Sequence, residues 1–293
     1  MRSLLFVPGD SERKLEKGFA TGADVVIVDL EDSVAPQNKL RAREIAARFI
    51  VERRTQTSSA IYVRVNDLST GLTDDDLTAL VPARPEGIML PKSNSGQDVQ
   101  QLAAKLRVRE AENGLADGVT KILPIVTETP AGVLAAATYA GTSARLAGVT
   151  WGAEDLSAAI GARTARDEHG RYTDVFRFAR AMTILAAGAA EVAAIDTVFP
   201  NFRDMEAFAA ECAEAERDGF TGKMAIHPDQ VPVINAAFTP SAEAVKQSAA
   251  IVAAFQAAGN PGVVGIGGKM VDRPHLRLAE QLLARARAAG ISA

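Results

Sequence analysis

Short apolar runs recur along this chain at a regular interval, with a helical pattern between each run and the next. The runs are SLLFVPG (3–9), DVVIVDLED (24–32), AIYVRVN (60–66), GIMLPK (87–92), TKILPIVTE (120–128), RLAGVTWGAED (145–155), AAIDTVFP (193–200) and GKMAIHP (222–228). Several are near-continuous rather than alternating, the pattern of parallel strands buried on both faces. Helical periodicity is clearest over 11–22, 38–54, 95–113, 131–141, 174–190 and 203–218. Eight β-then-α units ending at Pro228 predict an α/β fold, a (β/α)8 TIM barrel over residues 1–228. Polar residues at the C-terminal ends of the runs favour this closed form over an open doubly wound sheet. Residues 229–293 are then a C-terminal extension: a helix over 241–258, the glycine-rich turn GNPGVVGIGGKMVD (259–272), and a helix from Pro274 to about Ala289. Such a tail has too little core to stand alone. It is expected to pack as a lid on a barrel mouth, its own or a neighbour's.

Composition removes several classes of function. No uninterrupted apolar run reaches the roughly 18 residues that mark a membrane span. The start MRSLLFVPGDSER reads as a strand and loop rather than a signal peptide. The single cysteine, Cys212, excludes an intrachain disulfide and a cysteine-based zinc site, and fits a reducing cytoplasm. A net charge of −4 gives no general basic field for nucleic acid. His169, His227 and His275 lie far apart, with no HxxxH spacing, and no GxSxG elbow is present.

Two carboxylates carry the strongest chemical signal. Glu128 and Asp155 each follow an apolar run and precede a Gly-, Pro- or Ala-rich loop that opens a helix. In a parallel barrel, catalytic groups collect at this boundary. Magnesium prefers oxygen ligands and keeps several waters, so two acids suffice to hold it, and a 2-oxo acid could complete the shell. Alternatively, one acid caps a helix and the other pairs with an arginine. Arg64, in YVRVN, either meets a ligand carboxylate with its planar fork or pairs internally with Asp29, Glu31 or Asp32. The acids of DLED (29–32) need cations nearby, and Lys92 of MLPK is one candidate. Arg13, Lys14 and Lys17 open a helix after a glycine loop, either as a phosphate site or as a solvated face. His227 is a candidate polar contact at the eighth strand end.

Taken in order, RSLLFVPGDSERKLEKG, VVIVDLEDSVAP, YVRVN, MLPK, ETPAG, WGAEDL, GKMAIHPDQ and GGKMVDRPH resemble the citrate lyase β-subunit-like family. This family includes malyl-CoA and citramalyl-CoA lyases, within the 2-oxo-acid aldolase and citrate lyase superfamily. The resemblance covers nearly the whole chain. It implies a TIM barrel using Mg²⁺, with a CoA thioester and a 2-oxo acid as substrates, and a homotrimer that exchanges lids between subunits. It implies Glu128 and Asp155 as metal ligands, and Arg64 as the clamp for the oxo acid's carboxylate. Phe6, Arg13 and Lys14 would receive coenzyme A, and Asp272 would be the acid/base near the thioester α-carbon. The chain departs from the family where Gly265 and Ile266 stand, since members often carry polar or aromatic residues there. Cleavage of a short 3-hydroxy-3-carboxyacyl-CoA to acetyl-CoA and pyruvate or glyoxylate is the leading expectation. A malyl-CoA thioesterase and a β-subunit acting on an acyl-carrier-protein thioester are the alternatives. A metal-binding barrel without catalysis is the remaining one.

Overall fold

The structure, a computed structural model, describes residues 1–291. The chain forms two compact units, Met1–Asn235 and the stretch from Ala236 onward. The first unit alternates strand and helix. β1 (Ser3–Pro8) leads to α1 (Glu12–Phe19), β2 (Val25–Asp29) to α2 (Lys39–Arg53), β3 (Ala60–Arg64) to α3 (Thr73–Leu80), and β4 (Gly87–Leu90) to α4 (Gly96–Glu112). β5 (Lys121–Pro124) leads to the short α5 (Pro130–Leu134), and β6 (Gly148–Thr150) to α6 (Ala153–Ile160) and α7 (Asp174–Ala190). β7 (Ala193–Asp196) leads to α8 (Met205–Asp218), and β8 (Gly222–Ala225) to α9 (Gln230–Phe238), within which the first unit ends.

The eight strands form one parallel sheet in the order β5-β4-β3-β2-β1-β8-β7-β6. Parallel bridges Ile122↔Leu146 and Ile125↔Thr150 join its two ends, so the sheet closes as the expected (β/α)8 barrel. Its interior is filled by Leu4, Val25, Ile27, Tyr62, Met89, Leu123, Ile125, Ile195 and Met224. Alternate residues such as Val26 and Val28 are equally buried under the helices. That double burial explains the continuous apolar runs. The strands are shorter than the runs suggest. β5 stops at Pro124, with pairing continuing only through the Ile125 bridge, so Glu128 stands in the loop beyond. Asp155 lies in the first turn of α6, not at a strand end.

The second unit holds α10 (Ala242–Ala257), β9 (Val263–Ile266), β10 (Lys269–Asp272) and α11 (Arg273–Ala288). The glycine-rich segment expected as a turn is an antiparallel hairpin, with Lys269 paired to Ile266. Gly267 and Gly268 make its two-residue turn at φ 54° and 77°. A turn with both central residues at positive φ matches the right-handed twist of the strands, which is why glycine occupies both positions. Val245, Leu283 and Ala286 pack between α10 and α11, while Phe255, Val271 and Leu276 form a second small core. Among the described residues, no helix is long and apolar enough to cross a membrane.

Candidate active site

Strand alternation and register decide what faces the barrel mouth. Val25 and Ile27 point inward on β2, so Asp29 does too; Tyr62 points inward on β3, and so does Arg64. The parallel register sets Asp29 directly beside Arg64. Arg64 donates Nε–H to Asp29 Oδ1 and Nη2–H to Oδ2, both at 2.7 Å. Its Nη1 lies 3.0 Å from Glu31 and 3.7 Å from Asp32. The Phe6 ring lies under the guanidinium, 4.8 Å from centroid to Cζ. The internal pairing foreseen as one option for Arg64 is therefore present. Two of the five guanidinium N–H groups go to Asp29. Burial works against the charge of Asp29, but the Arg64 fork and the N–H groups of Glu31 and Ser33 hold its carboxyl below the usual range.

Lys92 follows β4 with a left-handed backbone, φ 50°, unusual for a residue with a side chain. Its backbone N–H donates to Glu128 Oε2 at 2.5 Å. Its ammonium pairs with Glu31 and lies 3.6 Å from Asp32 and 3.5 Å from Asp155. The acids of the DLED loop thus face cations from two neighbouring strands. Lys39 of α2 holds the same loop from behind, donating to the carbonyls of Leu30 and Glu31 at 2.7 and 2.8 Å. Burial pushes Glu31 up to about 7, against the charges of Arg64 and Lys92.

Glu128 is 3% exposed. Burial first, then the charge of Asp155, pushes its carboxyl up to about 8; the Lys92 N–H opposes them and does not win. Gly152, just before α6, packs on it so closely that an added Cβ would sit 2.7 Å from Glu128 Cγ. Two carboxylates crowd together here, and the buried one receives only a backbone N–H. A cation that accepts oxygen ligands and retains water suits such a donor set. Among the described residues, no group of three or more His, Cys, Asp or Glu side chains gathers as a complete metal cage.

These groups border a cavity of about 450 Å³. Asp29, Asp32, Arg64, Glu128, Glu154 and Asp155 line its charged side. Phe6, Pro8, Ile125, Val198, Met224 and Ile226 form an apolar wall, drawn from strand ends that sequence periodicity alone did not single out. Arg13 and Lys14 lie exposed on α1 and do not line the cavity. His227 also stays outside it, stacked on Phe202 at 4.8 Å, and Ile226 lines the cavity at that strand end instead. Cys212 is buried, and burial pushes its thiol up to about 12, so it is no nucleophile.

In the second unit, Asp272 ends β10 just before α11, exposed. His275 Nδ1 lies 2.5 Å from its Oδ1 and holds the carboxyl below the usual range. Sequence reading missed this partner; the D-x-x-H spacing at a helix start was the available signal.

A family model described as HpcH/HpaI aldolase/citrate lyase matches residues 2–228. The (3S)-malyl-CoA thioesterase of Cereibacter sphaeroides (strain KD131 / KCTC 12085) is 34% identical over 297 residues, covering 98% of this chain and 95% of that protein. The citrate lyase subunit beta of Escherichia coli (strain K12) is 34% identical over 292 residues, covering 99% and 94%. Among solved structures, the protein CitE from Mycobacterium tuberculosis in complex with magnesium, acetoacetate and coenzyme A is 34% identical, with a TM-score of 0.76 and 98% of each chain covered.

Proposed function

The chain belongs to the HpcH/HpaI aldolase/citrate lyase family, and from that premise we propose that it is a Mg²⁺-dependent carbon–carbon lyase. Its substrate is a short 3-hydroxy-3-carboxyacyl-CoA such as citramalyl-CoA or malyl-CoA. The products are acetyl-CoA and a 2-oxo acid, pyruvate or glyoxylate. The observation that carries this reading is the crowding of Glu128 and Asp155 beside Arg64 at the barrel mouth. The M. tuberculosis relatives solved with magnesium and with acetoacetate or oxaloacetate support it.

In this reading Glu128 and Asp155 hold Mg²⁺. Mg²⁺ held there would supply Lewis-acid stabilisation of the negative charge that develops on the substrate oxygen. Arg64 receives the oxo acid's carboxylate with the N–H groups not donated to Asp29, and Lys92 holds the surrounding acids in place. The apolar wall shelters the short acyl chain. Phe6, Arg13 and Lys14 receive coenzyme A, the last two as exposed cations for its phosphates. Asp272 protonates the thioester α-carbon after cleavage, or removes its proton in the reverse direction. The assembly is a homotrimer in the cytoplasm, in which the second unit acts as a lid and brings Asp272 to a neighbour's barrel.

The test is a product assay on purified protein with citramalyl-CoA and malyl-CoA. Acetyl-CoA appearing with pyruvate or glyoxylate supports the lyase. Free CoA without an oxo acid selects the thioesterase reading, which the C. sphaeroides relatives favour. Activity only on an acyl-carrier-protein thioester selects the citrate lyase β-subunit reading. Asp272→Asn is expected to spare oxo-acid binding and stop exchange of acetyl-CoA α-protons with deuterated solvent. Equal exchange by both proteins would remove Asp272 from its role.

A further inference from the structure

Behind the barrel mouth, six side chains form a closed ring of contacts. Trp151 donates its indole N–H to Asp196 Oδ1 at 2.7 Å. Asp196 Oδ2 accepts from the Lys223 ammonium at 2.6 Å, and Lys223 also donates to Glu211 at 2.9 Å. Glu211 pairs with Arg166 at 2.7 Å. Arg166 lies 3.8 Å over the Tyr172 ring, and Tyr172 stands edge-on to Trp151 at 5.0 Å. Trp151 and Lys223 are 0% exposed and Asp196 is 1% exposed. The proposed chemistry uses none of these residues.

Alternation explains their placement. Ile195 and Met224 point into the barrel, so Asp196 and Lys223 point outward, toward the helix layer. Burying two carboxylates and an ammonium there is costly, and such an ion network is weak evidence for added stability. Its value lies in position. Trp151 directly precedes Gly152, which packs on Glu128 with no room for a Cβ. Asp155 follows three residues later, in the first turn of α6. A small shift of the indole would move both the packing on Glu128 and the second carboxylate.

We propose that Asp196 and Lys223, acting through the Trp151 indole, are positioning residues that hold the β6–α6 loop so that Asp155 faces Glu128. The proposal rests on the reading of Glu128 and Asp155 as Mg²⁺ ligands. Groups that orient metal ligands from behind carry roughly 10- to 100-fold in metal affinity.

The experiment is calorimetric Mg²⁺ titration of the full chain, with melting temperature and turnover measured in parallel. Trp151→Phe keeps a ring in the core and removes the N–H donor. Asp196→Ala removes the acceptor and risks misfolding, so Trp151→Phe carries the test. Phe220→Leu is the control: it loosens the same layer, under Arg180, and leaves the Trp151 N–H and its Asp196 acceptor in place. Trp151→Phe is expected to bind Mg²⁺ roughly tenfold or more weakly, with excess Mg²⁺ returning turnover toward the wild-type level. Phe220→Leu is expected to melt earlier with unchanged Mg²⁺ affinity. Wild-type Mg²⁺ affinity in a folded Trp151→Phe protein overturns the positioning role alone. Equal weakening in Phe220→Leu overturns it too, because packing loss would then suffice. Absence of Mg²⁺ binding to the wild type overturns the metal reading and the positioning role with it.

Discussion

Two buried glutamates in the same barrel have opposite surroundings. Glu110, on α4, is fully buried. It accepts from Arg145 Nη1 and Nη2 at 2.7 and 2.6 Å, and from the backbone N–H groups of Thr120 and Gly118 at 2.9 and 3.0 Å. Burial opposes its charge, but the Arg145 fork and the backbone donors override it and bring the carboxyl down to about 2. Glu128 is almost as buried, accepts from a single backbone N–H, faces Asp155, and is pushed up to about 8. Thr120 and Arg145 precede β5 and β6, at the N-terminal end of the barrel strands, while Glu128 stands beyond their C-terminal ends. Residues at the first end serve stability, and residues at the second serve chemistry. A carboxylate whose acceptor sites are filled by protein donors has nothing left for a ligand.

The sharpest way to break this contrast is to remove the carboxylates. Glu128→Ala or Asp155→Ala should abolish Mg²⁺ binding and turnover with the fold intact by circular dichroism. Near-wild-type turnover at limiting Mg²⁺ would end the metal assignment. Glu110→Ala should do the reverse. It leaves the Arg145 guanidinium only the exposed Asp117 and the Thr120 carbonyl, so denaturant unfolding should show a loss of about 3 kcal/mol, the lower end of the usual cost of breaking a buried pair from one side. Turnover per folded molecule should stay near wild type. A stable Glu110→Ala protein with damaged catalysis would dissolve the distinction between the two ends.

Arg64→Lys probes the middle ground, because Arg64 serves both a protein acid and the proposed ligand. An ammonium cannot reproduce the fork. Oxo-acid binding measured by calorimetry should weaken by about 2–4 kcal/mol, as expected for a charge-assisted pair in a shielded site. Unchanged affinity would leave Arg64 as a partner of Asp29 only.

The smallest expected effect is the pH response. Burial and the charge of Asp155 push the folded Glu128 carboxyl up to about 8 from an ordinary value of 4.5. Its raised value favours the fold most below pH 4.5, and that contribution is lost as pH rises toward 8 in the metal-free protein. Mg²⁺ must displace the proton, so its affinity should rise over the same window, with proton release detectable by calorimetry in buffers of different ionisation heat. Glu110 has the opposite sign: its contribution is full above pH 4.5 and is lost as pH falls toward 2. Mg²⁺ affinity independent of pH between 6 and 8 would contradict the environment described for Glu128.

The barrel was legible in the chain because its cause is repetitive. Each strand buried on both faces must be apolar along its length, and each helix must show its period, so the units could be counted before any contact was known. Glu128, Asp155 and Arg64 were legible because they follow apolar runs where a parallel barrel opens. The hairpin at Gly267 and Gly268 was read only as a turn, since flanking strands this short carry little pattern. Asp196 and Lys223 were passed over because a charged residue inside an apolar run does not announce which face it takes.

The alternation of residue types along the chain therefore determined the architecture and the composition of the mouth, since burial in a repeating fold leaves a repeating mark. Tertiary structure alone decided the partners. Pairing of neighbouring strands sets Asp29 beside Arg64 and carries Trp151 to Asp196 across 45 positions of sequence, and closure at the β5–β6 seam leaves Glu128 crowded by Asp155 while Glu110 is fully paired. Hydrogen bonding, desolvation and charge repulsion depend on distances between segments remote in the chain, and those distances do not exist until the sheet has closed.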